Sequence, residues 1–525
     1  MPTTTALGDY DIVLAVTEDA LNSAMKFSSI WSQPITAYPP TAPGAPPPTD
    51  SSPGLHSVTM SQPQIVLTGD NVGDNQVGMV LSFTGGTVVY FSYYYNSIVS
   101  QDLAGWVMQF SAPLSQTVVS DADDPSTLPV AVQQALSSDI LSVEQLFLQT
   151  SAATWTNALI TDDTGATVDD SGITTTIIDS FQSYIDATEE ADVNQVITYL
   201  IGSTDPQSDS GVLPDFVPTS YNYSTSKYQP ANDGYDGLST LNYLIMTNLR
   251  PAPTSGTAGN FDQNWVPAPN TQGYGGTVAI DGQLFNSSYL EAIVLPVIQQ
   301  AIPFSNAFTS NTNNHLAPWS DSQTSTSSPV LVGHTLTHDV TVYQTTENTT
   351  SCTVSESTSA AKLLVSGSFY SKCSFDCHFF GQSIGGYYQT FTQPWSFSIT
   401  MTATDNGTVS LSATDFVMNT DDMVASDVEA VDNGNWIQNI MSEILAPIEG
   451  FLSGFLDTYT SGTQDEFSEN IESIDFTTVS SQIDQSLQSV SGSIVFPGGQ
   501  TYSYQNLSFS QDGEQDLLGS VMYLS

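Results

Sequence analysis

The chain has 525 residues, of which 39% are hydrophobic and 10% aromatic, so it can fill the cores of two or three domains and is not a disordered protein. It carries five Lys and Arg residues against 54 Asp and Glu residues, a formal net charge of −49. Because nucleic-acid binding needs clustered basic side chains, this balance excludes nucleic acid as a partner and disfavours electrostatic docking on anionic lipid.

The scarcity of bases also bears on the working environment. A surface built from Ser, Thr, Asn and Gln, with almost no Lys or Arg, avoids the positive self-repulsion that unfolds proteins in acid. We therefore expect stability at about pH 4, and a drift toward acidic composition is the alternative explanation. Residues 1–10 contain neither a basic segment nor a long apolar run, so no signal peptide is visible, although a secreted protein is favoured. No apolar run is long enough to predict a transmembrane segment.

Along the chain, the first pattern is a short apolar strand that turns directly into an amphipathic helix, at Val13 to Asn22. A Pro-rich surface loop comes next, at residues 38–54. The segments Met79–Phe83 and Thr87–Phe91 then flank Gly85-Gly86, which predicts a hairpin with its turn at the two glycines.

Later segments predict further helices. Apolar spacing from Phe181 to Leu200 fits one buried helix face, and Tyr289–Ile302 and Trp436–Phe455 predict two more helices. Residues 206–229 are polar, so we place the boundary between the halves there, with one module over residues 1–230 and a second over residues 231–525.

Two stretches half a chain apart resemble each other. Val13–Asn22 aligns with Thr277–Asn286 at an offset of 264 residues, and each is a strand that leads into a helix. Such an echo indicates a duplicated module. We therefore predict an α+β fold of two pseudo-repeated modules, each a long helix pair wrapped by a strongly curved antiparallel sheet that closes a tube with an apolar interior.

The middle of the chain resembles the clostridial P-47 proteins. The resemblance is carried by Leu238–Asn248, Arg250-Pro251, Thr277–Ile280, Leu284-Phe285 and Leu295-Pro296, and more weakly by Tyr10–Val13, Leu21-Asn22 and Gly105-Trp106. It implies a tubular lipid-binding (TULIP) fold and an accessory role beside a toxin, with a protein partner encoded by a neighbouring toxin-type gene. The chain departs from the lysine-rich clostridial members, so the fold is carried over and the headgroup specificity is not.

Our leading hypothesis is a non-enzymatic protein that binds lipid or another apolar small molecule in these tubes. Two alternatives remain open: a toxin-complex or assembly component that acts through protein contacts without lipid, and a secreted, acid-active hydrolase, suggested only by composition and by carboxylate pairs such as Asp162-Asp163. No sequence motif predicts a catalytic residue, a cofactor or a metal site. The residues expected to line the tubes are Leu21, Met25, Phe181, Ile185, Leu290, Val294, Ile440, Ile444 and Phe451.

Two further groups of residues attract specific hypotheses. Arg250, the only arginine, is a candidate for contact with a phosphate or carboxylate headgroup, and a structural ion pair with a nearby Asp is the alternative. The three cysteines allow one disulfide, from Cys352 to either Cys373 or Cys377, with three buried free thiols as the alternative.

Overall fold

The structure is a computed structural model, and it describes residues 7–523 except 28, 68–75, 120–127, 189–194, 205–215, 230–234, 254–258, 260, 302–318, 336–339, 358–360, 405–406, 419–428, 431–464, 466–468, 471–472 and 511–515. The described part is mostly β-sheet with few helices. A central six-stranded sheet stands between two curled antiparallel sheets.

The central sheet takes three strands from each half of the chain, in the order β11-β12-β1-β13-β23-β22. Three of its strands, β1, β12 and β13, are buried along their whole length because both sheet faces are covered. Alternate residues of β1 enter different cores: Ile12, Leu14 and Val16 face the main core, whereas Val13 and Ala15 face a smaller one. The strands are β1 (Ile12–Thr17), β11 (Pro218–Ser226), β12 (Thr240–Thr247), β13 (Gly276–Ile280), β22 (Tyr502–Phe509) and β23 (Leu517–Tyr523).

The sequence echo corresponds to the middle of this sheet. Strands β1 and β13 are antiparallel neighbours, and Leu14 pairs with Val278, the residue that also lies 264 positions after it. A local pseudo-twofold axis therefore passes between these two residues. The residues that end the two strands in the echo, Thr17 and Asp281, both cap the next helix by accepting a backbone hydrogen bond, from Ala20 and Leu284 respectively.

The first curled sheet has ten strands, with the main order β2-β3-β5-β7-β8-β10-β21, while β4 and β6 pair with β5 and β9 pairs with β7. Its last strand comes from the second half of the chain, so the two halves share hydrogen bonds here as well. The strands are β2 (Ile35–Ala37), β3 (Gly54–Met60), β4 (Gln64–Val66), β5 (Gln76–Ser92), β6 (Ser97–Asp102), β7 (Val107–Val118), β8 (Leu141–Leu148), β9 (Thr154–Thr161), β10 (Gln195–Ser203) and β21 (Ile494–Val495).

The second curled sheet has seven strands, with the main order β14-β16-β17-β18-β19, while β15 pairs with β16 and β20 with β18. Its strands are β14 (Trp319–Thr326), β15 (Val330–Thr335), β16 (Val340–Ser357), β17 (Lys362–Phe379), β18 (Gln382–Ala403), β19 (Val409–Met418) and β20 (Glu429–Ala430). Three of them, β16, β17 and β18, exceed the usual strand length several-fold, and they pair antiparallel in chain order as two successive long hairpins.

The described helices are α1 (Glu18–Ala24), α2 (Val130–Leu136), α3 (Ser171–Ala187), α4 and α5 (Thr477–Gly492). Helix α4 is continuous, with α-helical Gly282–Phe285 and Leu295–Ala301 on either side of π-helical Asn286–Val294. Helix α3 buries Ile173, Ile177, Phe181 and Ile185, which are spaced four residues apart, against β3 and β5.

The predicted pair of long helices in each module is wrong, because the described residues are mostly sheet with few helices, and α1 in the first module has only seven residues. The helix expected to continue to Leu200 ends at Ala187, and the chain forms β10 from Gln195 onward. Helix α4 confirms the prediction at Tyr289. The helix predicted at Trp436–Phe455 lies outside the described residues.

The hairpin turn predicted at Gly85-Gly86 is also wrong, because β5 continues through both glycines. Gly86 has a φ of 98°, and a Cβ there would lie 2.4 Å from Val58 Cα, at a point where the β3 register shifts. The glycine serves a close approach between strands at a bulge rather than a turn. The chain turns at Tyr93 to Asn96 instead.

The two halves repeat one order of elements. Each begins with a central strand and a helix (β1 and α1; β13 and α4), continues through a curled sheet, and returns by a helix, a strand and a central hairpin. The returning elements are α3, β10, β11 and β12 in the first half and α5, β21, β22 and β23 in the second. In this repeat, β12 completes the first set of strands.

Candidate functional site

A cleft of about 420 Å³ opens where α1 ends, and we call it the N-terminal cleft. Its floor is formed by Met25, Trp31 and Met60, all at most 9% exposed. Lys26, one of the five basic residues, is exposed at the rim. The complete lining is Met25, Lys26, Phe27, Ser29, Trp31, Ser32, Met60, Gln62 and Pro63.

Side chains from distant parts of the sequence donate hydrogen bonds to the chain just after α1. The Gln195 side chain donates to the Lys26 carbonyl at 2.7 Å, and that of Gln62 donates to the Met25 carbonyl at 3.4 Å. These amides satisfy carbonyls that a continuing helix would otherwise use. A short 3₁₀ turn at Ser29–Ser32 then places the Trp31 side chain in the floor. Trp31 Nε1 is buried and has no hydrogen-bond partner among the described residues.

A second cleft of about 490 Å³ lies between α4 and the chain that leads into α5, and we call it the C-terminal cleft. Its apolar wall consists of Ala292, Ile293, Val297, Ile474 and Val479. The lining also includes polar residues, among them Asp475, and hydrogen bonds from the Thr477 side chain and backbone lower the pKa of its carboxyl. The remaining lining residues are Asn470, Ser473, Thr478 and Gln482.

The clefts lie at related places in the repeat. The N-terminal cleft uses residues 25–32, and an offset of 264 carries these onto residues 289–296, which include Ala292 and Ile293 of the C-terminal cleft. Each cleft therefore adjoins the chain just after the echo segment. The facing walls differ, since the first comes from the end of β3 and the second from the region around α5.

The residues predicted to line a tube are mostly core residues. Leu21 and Phe181 are 0% exposed, so no water-sized space adjoins their side chains. All six that the structure describes belong to one continuous apolar cluster that runs through both halves: Leu21, Met25, Phe181, Ile185, Leu290 and Val294. Of these, only Met25 also lines a described cleft. Ile440, Ile444 and Phe451 lie outside the described residues.

Arg250 forms an ion pair with Asp11, with 2.5 Å between Arg250 Nη1 and Asp11 Oδ1. The carboxylate is 1% exposed and also accepts hydrogen bonds from Thr247 N and Oγ1 at 2.7 and 2.9 Å. The guanidinium is half-exposed and ties the loop after β12 to the start of β1. The Arg250–Asp11 pair is the structural ion pair that was the alternative to headgroup contact. Arg250 lines neither the N-terminal nor the C-terminal cleft.

The cysteines lie far apart along the β16–β17 hairpin. Cys352 pairs with Gly367, whereas Cys373 pairs with Thr346, six positions away along β16 and hence about 20 Å distant. Cys377 pairs with Val342, farther still. Because a disulfide needs Cα atoms within roughly 7 Å, this register is incompatible with either proposed pairing. Burial raises the pKa of the Cys373 thiol.

The carboxylate pair Asp162-Asp163 forms part of a tight turn. Asp162 Oδ1 accepts hydrogen bonds from Thr164 N, Thr164 Oγ1 and Ala166 N, and these lower the pKa of its carboxyl. Within the described residues, no group of three or more His, Cys, Asp and Glu side chains is placed to hold a metal ion. In the same part of the chain, no helix is long and apolar enough to cross a membrane.

The sequence contains two further signals that composition and helical spacing do not reveal. The hairpin strands β11 and β22 each carry a Tyr-x-Tyr pattern, Tyr221 and Tyr223 in the first and Tyr502 and Tyr504 in the second. Tyr223 donates to the Leu114 carbonyl in β7 at 2.8 Å, and Tyr504 donates to the Leu487 carbonyl in α5 at 2.9 Å. The pattern thus joins the central sheet to each module. The second signal is the run Tyr93-Tyr94-Tyr95, which forms an exposed turn.

No protein family matches the chain, and no curated protein matches it significantly. Among solved structures, it is similar to a crystal structure of lipopolysaccharide binding protein, with 10% sequence identity and a TM-score of 0.26. The alignment covers 98% of this chain and 99% of that one. A similarity at this level carries no functional assignment.

Proposed function

We propose that the protein binds an acyl lipid or a similarly shaped apolar molecule, without catalysing a reaction, in the N-terminal cleft. The observation that carries this proposal is the floor of Met25, Trp31 and Met60 beneath a rim that presents Lys26. The cleft volume of about 420 Å³ falls within the roughly 300–1,000 Å³ of small-molecule sites. An apolar floor with one cation at its edge suits a chain that ends in an anionic group.

The affinity would come mainly from the acyl chain. Each methylene removed from water contributes about 0.8 kcal/mol, so a few buried carbons outweigh what one exposed cation adds. Methionine side chains are unbranched and flexible, and they adapt to chains of different shape. An oxygen of the ligand that reached Trp31 Nε1 would also satisfy a donor that has no partner among the described residues.

The test uses delipidated protein and dibromostearate, whose bromine atoms quench nearby indoles. We expect quenching of the protein fluorescence, and we expect Trp31→Phe to lose a distinct share of it. Quenching that is unchanged in Trp31→Phe would place the fatty acid elsewhere. Native mass spectrometry with organic extraction, at acid and at neutral pH, shows in parallel whether lipid co-purifies.

A blocking variant has a closely matched control. Ser32 is an exposed residue at the end of a short helix, lines the cleft, and donates to the carbonyl three residues earlier at 2.7 Å. Ser137 is exposed and makes the same kind of bond to Gln134 at 2.7 Å, at the end of α2. We expect Ser32→Phe to weaken oleate binding about tenfold or more and Ser137→Phe to leave it unchanged. Equal effects of the two variants would contradict the site.

The C-terminal cleft is a second site of the same proposal. Ala292 is exposed at its apolar wall, so Ala292→Phe fills the cleft without disturbing the core. A stoichiometry that falls from two oleate molecules to one in either blocking variant supports equivalent sites. A stoichiometry unaffected by Ala292→Phe restricts binding to the N-terminal cleft.

A more specific proposal is that the chain is a P-47-type protein with a TULIP fold that is accessory to a toxin system. It rests on the resemblance around Leu238–Asn248 and on the repeated order of elements. An assembly component that acts through protein contacts without lipid is the alternative, favoured if the purified protein yields a clean apo mass and a stable complex with a neighbour-encoded protein. Activity on polysaccharides at acid pH would instead support the hydrolase.

A further inference from the structure

The most exposed apolar surface of the described chain is the tip of the hairpin formed by β5 and β6. We call Phe91, Tyr93, Tyr94, Tyr95 and Ile98 the aromatic tip. Their exposed fractions are 39%, 76%, 87%, 67% and 55%. Large apolar side chains grouped so closely on a surface mark an interaction site.

The tip is held in place by defined contacts. Pairing between β3 and β5 ends at Val89, so beyond this point β5 pairs with β6 alone and the hairpin projects from the sheet. The root lies against the first turn of α3, where a Cβ on Gly172 would be 2.6 Å from the Phe91 carbonyl oxygen. The Ser92 hydroxyl accepts a hydrogen bond from Tyr95 N, and Asn96 takes the positive φ of 49° that the turn requires.

The chemistry of the tip indicates its partner. No Lys or Arg lies within residues 87–102, which excludes attraction to phosphate-rich surfaces. Tyrosine has an apolar ring and a polar hydroxyl, a combination enriched where membranes meet water. Phe91 and Ile98 have no polar atoms in their side chains, so they gain free energy when they leave water for a hydrocarbon environment.

The ring geometry argues against a carbohydrate partner. Sugar rings stack on flat aromatic platforms, whereas the planes of Tyr94 and Tyr95 meet at 88° and those of Phe91 and Tyr93 at 81°. These rings do not form a shared flat surface.

We propose that the aromatic tip inserts into the headgroup region of a zwitterionic bilayer and docks the protein there by apolar contact alone. The net charge of −49 repels anionic lipid, so neutral phosphatidylcholine is the preferred surface. This docking does not depend on cargo binding in either cleft, since the tip contributes no residue to them.

The test is co-flotation of the full chain with phosphatidylcholine vesicles, with and without phosphatidylserine. We expect the wild-type protein to float with phosphatidylcholine vesicles. The partition coefficient of the triple variant Tyr93→Ser, Tyr94→Ser, Tyr95→Ser should be lower by about tenfold or more. Phosphatidylserine should reduce wild-type binding, and added salt should restore it.

The matched control is Phe380, which is 73% exposed at the turn between β17 and β18 and also has a positive φ. We expect Phe380→Asn to bind vesicles like the wild type. The proposal would be overturned if the wild-type protein did not float with the vesicles, or if the triple variant floated equally well. It would also be overturned if a polysaccharide gel retained the wild-type protein and not the triple variant. Dibromostearate quenching in the triple variant separates the two proposals, because loss of docking with retained quenching leaves the cleft intact.

Discussion

The two segments that open the modules, β1 with α1 and β13 with α4, begin alike and differ in the length of their helices. Both strands pair around the same axis, and Thr17 and Asp281 cap the two helices in the same way. The echo aligns Asn22 with Asn286. The first helix ends at Ala24, soon after Asn22, whereas the second continues from Asn286 to Ala301.

The two asparagines show why the segments diverge. Asn22 exchanges two hydrogen bonds with the Ile65 backbone in β4, at 2.9 and 2.8 Å, so its helix is fastened to the curled sheet. Asn286 is 1% exposed, and neither of its side-chain polar atoms has a partner among the described residues. A similar sequence thus determines the strand, the cap and the pairing, while tertiary contacts beyond the repeat determine how far the helix runs.

The largest expected effect comes from breaking the strand pair on which both segments rest. The axis relates the pair Ile12–Ile280 to the pair Val16–Gly276, and the glycine is needed because a Cβ there would lie 2.1 Å from the Ala15 carbonyl oxygen. We expect Gly276→Ala to destabilise the protein by about 3 kcal/mol or more in urea melts. Gly492→Ala, at the end of α5 with nothing within 4 Å, is the control and should be neutral or slightly stabilising.

The asparagines give the next largest effect, with opposite signs at the two positions. Asn22→Leu leaves the Ile65 N–H and carbonyl unpaired, so we expect a loss of about 2–3 kcal/mol. Asn286→Leu removes a buried amide with no described partner, so we expect a gain of about 1 kcal/mol. Both are measured by urea unfolding, and a loss at both positions would mean that the asparagines have equivalent roles.

These segments also show how far the sequence determines the fold. The echo, the caps and the helix at Tyr289 arise from local pattern, so they are visible in a single chain. The turn expected at Gly85-Gly86 is misplaced because a glycine pair also serves a strand that must pass close to a bulge, and that need depends on β3.

The candidate cleft is less predictable than the fold. Met25 is recognisable because it follows Leu21 at helical spacing, but Trp31 and Met60 join it only because a 3₁₀ turn and the end of β3 meet in space. Leu21 and Phe181 have the same apolar pattern and are covered on all sides. The helical spacing of apolar residues alone cannot distinguish a residue that lines a cleft from a core residue, since both face inward.

The ion pairs offer a further comparison between the modules. Arg250→Met leaves the buried Asp11 carboxylate with only its Thr247 bonds, and we expect a loss of about 1–3 kcal/mol, moderated because the guanidinium is half-exposed. Lys362→Met removes the pair with Asp415, whose exposed carboxylate keeps its hydration, and should cost clearly less stability than Arg250→Met does. Asp11→Asn combined with Arg250→Met should recover part of the first loss. Equal losses of stability for Arg250→Met and Lys362→Met would show that the burial of Asp11 does not strengthen its ion pair.

The smallest effect concerns the caps and depends on pH. Burial, together with the nearby Asp11 carboxylate, raises the pKa of Asp281, although hydrogen bonds from Leu284 and Gln283 and the charge of Arg250 oppose the shift. A carboxyl with a raised pKa binds its proton more tightly in the folded state, so its contribution to stability is present below the unfolded pKa and is lost as pH rises through the folded pKa.

Asn caps a helix as well as Asp does and stays neutral. Asp281→Asn should therefore be more stable than the wild type at neutral pH and equal to it in acid. Thr17→Ser, at the uncharged counterpart, should show no such dependence on pH. Urea melts at both pH values measure the difference, and a constant gap between wild type and Asp281→Asn would show that the charge of this cap does not oppose folding.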